Sequence, residues 1–454
     1  MRGSAAREMA GDDRSPVIPA VIAAEFEACF QDQRHVVLAV SGGPDSFALM
    51  YWAAEWKAAR GVKEPAFSVV TVDHGLRPES AAEAAMVAAA AQQVGFAHTT
   101  LRWAGDKPQT GLQAAAREAR YRLMGNHLKT IGCQAIATGH TRDDQAETLL
   151  MRLARGSGVD GLAAMRRQTL LDGKVSLLRP LLGVPKADLE AALRARGISW
   201  IVDPGNEKAA FERGRIRTAR QALDGLGLTS QHLALSAERL GRAREALEWS
   251  TADAAGKLGD ALHVDDLGFA EIVWHRLLSL PEDIRLRILV RLLGAIGGGG
   301  RSAVSLGQLE AMTVGRNWQP PDGLTLAGAV FRKDAGDRLM LTREFGRTPM
   351  PEIQIAPGQS VAWDNRFHIA LALSAPLSLT VAALGPQGLD QLAKEGCGRI
   401  VGARRKALLS VPVFWHGETR VAAPALGYFA NGWGPSLITC QFAARPFPEP
   451  QPKD

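Results

Sequence analysis

The chain has 454 residues, 46% of them hydrophobic and 22% charged, with 53 Lys and Arg against 47 Asp and Glu for a net charge of +6. That length exceeds one ordinary core, so two or three domains are expected, and no apolar run is long enough for a transmembrane helix. Cys29, Cys133, Cys397 and Cys440 lie far apart, which excludes a disulfide framework or a paired-cysteine metal site and points to a reducing compartment, the cytoplasm.

Met1 to Pro16 mixes charges with small residues and lacks an apolar signal region, so residues 1–16 are expected to be a disordered tail. The stretch HVVLAVSGGPDSFALM, residues 35–50, then runs a Val-rich strand, His35–Ser41, through a Gly-rich turn into an apolar helix covering about 46–60. Two glycines permit a close turn, and the helix start aims N–H groups and a positive dipole end at whatever sits there. Such a turn is an anion cradle or, more plainly, a tight strand-to-helix connection capped by Ser46. The usual triphosphate loop is excluded, because no Lys-Ser or Lys-Thr follows the second glycine.

Further strands are expected at Phe67–Asp73, His98–Arg102 and Gln134–Thr138, with helices near 79–95, 112–131 and 143–155. This alternation predicts an α/β fold with a doubly wound, mostly parallel sheet, whose ligands sit at the carboxyl ends of the strands. Three motifs fall there: Ser41–Ser46, Asp73–Ser80 and His140–Glu147. From Thr218 to Gly294 the pattern reads as helices without a strand, including Leu233, Leu240 and Leu247 seven apart. Gly297–Gly300 reads as a flexible joint. Beyond it, alternating runs at Leu324–Phe331, Arg338–Thr342, Ser360–Leu373, Leu377–Val381 and Val411–Trp415 predict a small β-rich or α+β domain. The expected domains are therefore 17–217 (catalytic), 218–300 (helical) and 301–445 (β-rich), with 446–454 as a tail.

The stretch ATGHTRDDQAETLLMRLARGSGVDGLAAM, residues 137–165, puts Asp144 and Glu147 three apart, on one face of a helix that starts near Thr141. Capping explains part of this: Thr141 as cap, Asp144 at the box position, Asp143 in the acidic first turn. It does not explain Glu147. Two carboxylates on one face beside an anion cradle could hold an ammonium group, with His140 just before them.

The loop Ser-Gly-Gly-Pro-Asp-Ser resembles that of the PP-loop ATP pyrophosphatases. With VDHGLRPES (72–80), GLQAAAREARY (111–121), GHTRDDQAETLLMRLARGSG (139–158), RPLL (179–182) and DPGNEKAAFERGRIR (203–217), the region 35–217 resembles the tRNA(Ile)-lysidine synthetase family. The chain departs from that pattern at Gly205 and at Arg213-Gly214, where the family has Ser after Asp-Pro and Arg-Asn. The resemblance implies a ligase that adenylates C2–O of the wobble cytidine, position 34, of a CAU-anticodon isoleucine tRNA, releasing pyrophosphate. The ε-amine of L-lysine then displaces AMP to give lysidine, which changes decoding from methionine to isoleucine. It implies ATP and Mg²⁺ as cofactors, with Ser41, Gly42, Gly43, Pro44, Asp45 and Ser46 around the phosphates and Asp45 on the metal. Asp45, His140, Asp144 and Glu147 would form the catalytic set. Asp144 and Glu147 would bind lysine, joined on the substrate side by Arg117, Arg179, Arg213 and Arg217. Arg120, the run Arg194, Arg196, Arg215 and Arg220, and Arg404-Arg405-Lys406 are further candidates for tRNA phosphates. A monomer or homodimer with no membrane partner is expected. The alternatives are another PP-loop tRNA-modifying enzyme, such as a tRNA thiolase, and an ATP-binding regulatory module. The first is disfavoured because Cys133 stands alone where a thiolase needs clustered cysteines.

Overall fold

The computed structural model describes residues 20–61, 65–76, 79–105, 107–108, 110–171, 175–201, 212–334, 336–394 and 403–447. The expected N-terminal tail lies outside these residues, as does the expected C-terminal tail beyond Phe447. The chain divides into two compact units, 1–245 and 246–454.

In the first unit the elements run α1 (Ala20–Phe30), β1 (His35–Ala39), α2 (Pro44–Arg60), β2 (Ala66–Asp73), α3 (Ser80–Gln93), β3 (Ala97–Arg102), α4 (Leu112–Thr130) and β4 (Ala135–Thr138). They continue as α5 (Arg142–Leu153), α6 (Val159–Leu162), β5 (Gln168–Leu171), β6 (Val175–Leu178), α7 (Lys186–Ala195), α8 (Glu212–Thr218), α9 (Arg220–Gly225) and the first part of α10 (Ser230–Leu258), whose residues from Ala246 on belong to the second unit. The strand order is β3-β2-β1-β4-β6-β5, parallel except where β5 pairs antiparallel to β6. The doubly wound reading holds, and the β5–β6 hairpin is an addition that the sequence reading missed.

Alternation along β1 explains why its apolar run is unbroken. Val36, Leu38 and Val40 pack with Phe47, Trp52, Trp56 and Phe67 on one face of the sheet. Val37 and Ala39 pack with Met124, Leu128 and Ile136 on the other. Burial on both faces is the usual environment of a central parallel strand. Helix α2 opens on Gly43 with Pro44 in its first turn and closes on left-handed Gly61, whose N–H donates to Ala58 O.

The second unit departs from the sequence reading in two places. Strands Leu262–Asp265 and Phe269–Val273 interrupt the segment expected to be purely helical. They complete a five-stranded antiparallel sheet with Arg338–Arg343, Ala329–Lys333 and Thr325–Leu326. The helix Glu282–Ile296 covers this sheet through Ile288, Leu289, Leu292 and Ile296. Strands this short, beside long helices, leave too few residues for a period-two signal. A second five-stranded sheet and a three-stranded one follow, sharing a core around Trp363, Phe367, Val381 and Phe414.

The second departure is the glycine run. A Cβ on Gly297 would lie 1.9 Å from Ala327 O, and one on Gly294 2.6 Å from the carbonyl carbon of Gly300. The residues are glycine because backbone packs on backbone there, not because a joint bends. Gly297→Ala should therefore lower stability by about 1–3 kcal/mol, the usual cost of overpacking, in equilibrium denaturant unfolding.

The cationic run Arg404-Arg405-Lys406 is largely committed inside the unit. Arg404 pairs in bidentate fashion with buried Glu271 at 3.1 and 3.3 Å, and Arg405 pairs with Asp390 at 2.5 Å.

Candidate functional site

At the carboxyl ends of β1, β2 and β4 the first unit encloses a cavity of about 810 Å³. Its floor is the turn between β1 and α2. Gly42 has φ +89°, and a Cβ there would lie 2.2 Å from Ile201 Cδ1, while Ile201 N donates to Gly42 O at 2.9 Å. Gly139 is equally constrained, since its Cβ would sit 2.6 Å from Asp45 O. Ser46 Oγ accepts from Ser41 N at 3.1 Å and donates to Gly43 O at 2.9 Å. Ser46 thus fastens the turn from within. Ser41, Gly43, Pro44 and Asp45 line the cavity.

Asp45 is the chemically exposed member of the turn. Its Oδ1 is buried with no hydrogen-bond partner among the described residues, and its Oδ2 lies 3.5 Å from Lys186 Nζ. Burial pushes its carboxyl up to about 6, against the opposing pull of Lys186 and with a further push from Asp144. A buried carboxylate oxygen without a donor suits a hard cation that completes its shell with phosphate oxygens and water. No group of three or more His, Cys, Asp or Glu among the described residues could hold a metal by itself.

Helix α5 carries the carboxylates. Thr141 Oγ1 accepts from Asp144 N at 3.3 Å, and Asp144 Oδ2 accepts from Thr141 N at 2.8 Å, a complete capping box. Asp143, expected to cap its own helix, does something else. Its Oδ2 accepts the backbone N–H of Lys186 at 2.8 Å, at the start of α7, and its Oδ1 accepts from Arg220 Nη2 at 2.9 Å. Burial opposes ionisation of Asp143, but these two donors outweigh it and hold the carboxyl below the ordinary range. Glu147, one turn on, is buried and accepts from Arg217 Nε at 2.6 Å and Nη2 at 3.3 Å. Asp144, Glu147 and Arg217 all line the cavity with Asp45.

Other expected site residues lie elsewhere. His140 is not among the residues lining the cavity, and its Nδ1 is 2.8 Å from Thr138 Oγ1. Arg117 is exposed, with its guanidinium 5.2 Å from the Tyr121 ring centroid. Arg179 is buried outside the lining and donates to Arg166 O at 2.8 Å and Thr169 Oγ1 at 3.1 Å, bracing the β5–β6 hairpin. Arg213's side chain, with Gly205 and Asn206, lies outside the described residues. Arg120, named only for tRNA, does line the cavity, near His74.

Lys186 and Glu190 also line the cavity and were not singled out by sequence. A signal existed for Lys186: it follows Pro185 at a helix start, just past the RPLL that succeeds a strand.

Residues 19–221 match the family model described as a PP-loop domain. The tRNA(Ile)-lysidine synthase of Ruegeria pomeroyi is 39% identical, over 91% of this chain and 93% of its own. That of Bradyrhizobium diazoefficiens is 45% identical, over 73% of this chain and 96% of its own. A solved U34-tRNA thiolase from Methanococcus maripaludis aligns over 48% of this chain and 78% of its own, with a TM-score of 0.42 and 15% identity.

Proposed function

Since the chain belongs to the tRNA(Ile)-lysidine synthase family, we propose that its cavity joins L-lysine to C2 of the wobble cytidine of a CAU-anticodon isoleucine tRNA. It is a tRNA-modifying ligase with an ATP-using PP-loop domain. ATP supplies the activation: the C2 oxygen takes the adenylyl group, pyrophosphate leaves, and AMP departs with that oxygen when the amine adds.

The observation that supports these roles is that one cavity gathers the turn's Asp45 with Asp144 and Glu147. The N–H groups at the start of α2 and the adjoining turn face the phosphates. Asp45, with a carboxylate oxygen that has no partner among the described residues, would hold Mg²⁺, which would offset the phosphates' charge. Asp144 and Glu147 receive the lysine ammonium, whose ordinary pKa of ~10.4 requires that a proton be removed before attack. Arg217 holds Glu147 in place for that contact. His140, held through Thr138, supports the strand end from which α5 starts.

The cavity reads one base, and the CAU letters are the same in isoleucine and methionine tRNAs. Selection between them therefore falls to contacts made by other surfaces, among them the second unit. This reading implies the cytoplasm as its compartment.

The test is pyrophosphate release with purified protein, ATP and Mg²⁺. Release should require the isoleucine tRNA and proceed without lysine, whereas conversion of the cytidine should require lysine. ATP binding with no pyrophosphate release, even with the tRNA present, would return the chain to an ATP-binding regulatory module. Incorporation of sulfur in place of lysine would favour a thiolase.

A further inference from the structure

The turn Ser41–Ser46 offers hydroxyls, glycines, a proline and one carboxylate, and no cation. A helix start contributes only about half a positive charge. A polyphosphate seated on this turn must draw its remaining compensation from side chains that the fold brings in. Five cations line the cavity besides histidine. Three are already engaged by carboxylates, Arg217 by Glu147 at 2.6 Å, Arg220 by Asp143 at 2.9 Å and Arg194 by Glu190 at 3.0 Å, and Arg120 lies near His74.

Lys186 differs from these three. Its partner is Asp45, the turn's own carboxylate, at 3.5 Å, and its side chain is 37% exposed. Its backbone is fixed, because Asp143 accepts its N–H at 2.8 Å, so the root of the side chain is held while the ammonium remains loosely engaged. A flexible four-carbon stem with a compact charge is suited to exchanging one oxygen partner for another.

We propose that Lys186 is the phosphate-contacting cation next to the turn in this cavity. It rests on Asp45 before the nucleotide arrives and passes to the nucleotide's phosphate oxygens when Asp45 turns to the metal. Lys186 thereby supplies, from the start of α7, the positive charge that the turn lacks. The assignment rests on the reading of the turn as the phosphate site.

Equilibrium binding to the full-length protein in Mg²⁺ tests it, with ATP and adenosine as probes. Lys186→Met should weaken ATP by about 10- to 100-fold, the loss of one charge-assisted contact, and leave adenosine unchanged. Lys186→Arg should recover most of the ATP affinity. Unaltered ATP binding by Lys186→Met would overturn the assignment. So would an equal loss of ATP and adenosine, which would reduce Lys186 to a neutraliser of Asp45 that shapes the cavity. Asp45→Asn, measured in parallel, separates the two levels. If it retains pyrophosphate release, the reading of the turn fails. If it loses release while Lys186→Met binds ATP normally, only Lys186 is misassigned.

Discussion

Asp45→Asn should reduce pyrophosphate release by about 100-fold or more and at the same time make the protein harder to unfold. The two effects have one cause. Asp45 keeps a carboxylate oxygen buried with no donor among the described residues, and Lys186, its ion-pair partner there, stands 3.5 Å away. Its carboxyl sits at about 6 in the fold against 3.8 ordinarily, burial being the main cause. Because the folded value is the higher one, the folded protein holds more protons between those limits. Stability therefore falls as pH rises through that window, and the cost persists at neutral pH. Removing the charge relieves up to about 3 kcal/mol, less whatever Lys186 loses with its partner. Thermal melts at pH 7 should favour the variant, and its advantage should shrink as pH drops below 6. Normal turnover in a folded Asp45→Asn protein would remove the turn from the chemistry. A loss of stability would mean that the carboxylate is satisfied by its surroundings.

The features legible in the sequence are those written in adjacent residues. The two-sided burial of β1 follows from its unbroken apolar run, and the turn after it from Gly42, Gly43 and Pro44. The box between Thr141 and Asp144 is likewise local, three residues apart. Illegible features depend on partners that local periodicity does not encode. Asp45 meets Lys186, and Glu147 meets Arg217 across 70 residues. Asp143 shows the limit well. Its place in a first turn suggested a cap for its own helix, and only the packing of α7 against α5 reveals that it serves Lys186 instead. Arg179 errs in the other direction. It belongs to a motif, yet burial turns it toward Arg166 O and Thr169, because a buried guanidinium needs acceptors and the hairpin supplies them. The short strands at Leu262–Asp265 and Phe269–Val273 gain their pairing from Arg338–Arg343, far along the chain.

Glu147→Gln and Asp144→Asn should each raise the lysine KM by about tenfold or more, with little change in the ATP KM. The two substitutions probe different neighbours. Glu147 lies buried against Arg217 with both oxygens engaged, so an arriving ammonium must share a carboxylate already held in bidentate geometry. Glutamine keeps the shape but removes the charge, leaving Arg217 with reduced compensation beside a site meant for a second cation. The lysine KM should rise for both reasons. Asp144 is the sharper case because its carboxylate already serves the capping box, accepting from Thr141 N at 2.8 Å. Asparagine is about as good as aspartate in accepting a backbone N–H, so Asp144→Asn should keep the start of α5 nearly intact. Asp144→Ala should lose it at a cost of about 1 kcal/mol. A lysine KM that rises in the asparagine variant while its melting temperature holds therefore isolates the charge from the cap. If instead lysine dependence stays normal in Asp144→Asn and only Asp144→Ala melts early, the residue is a cap and nothing more. The ammonium would then belong to Glu147 alone, and Arg217, which shares that carboxylate, would set how tightly lysine is held.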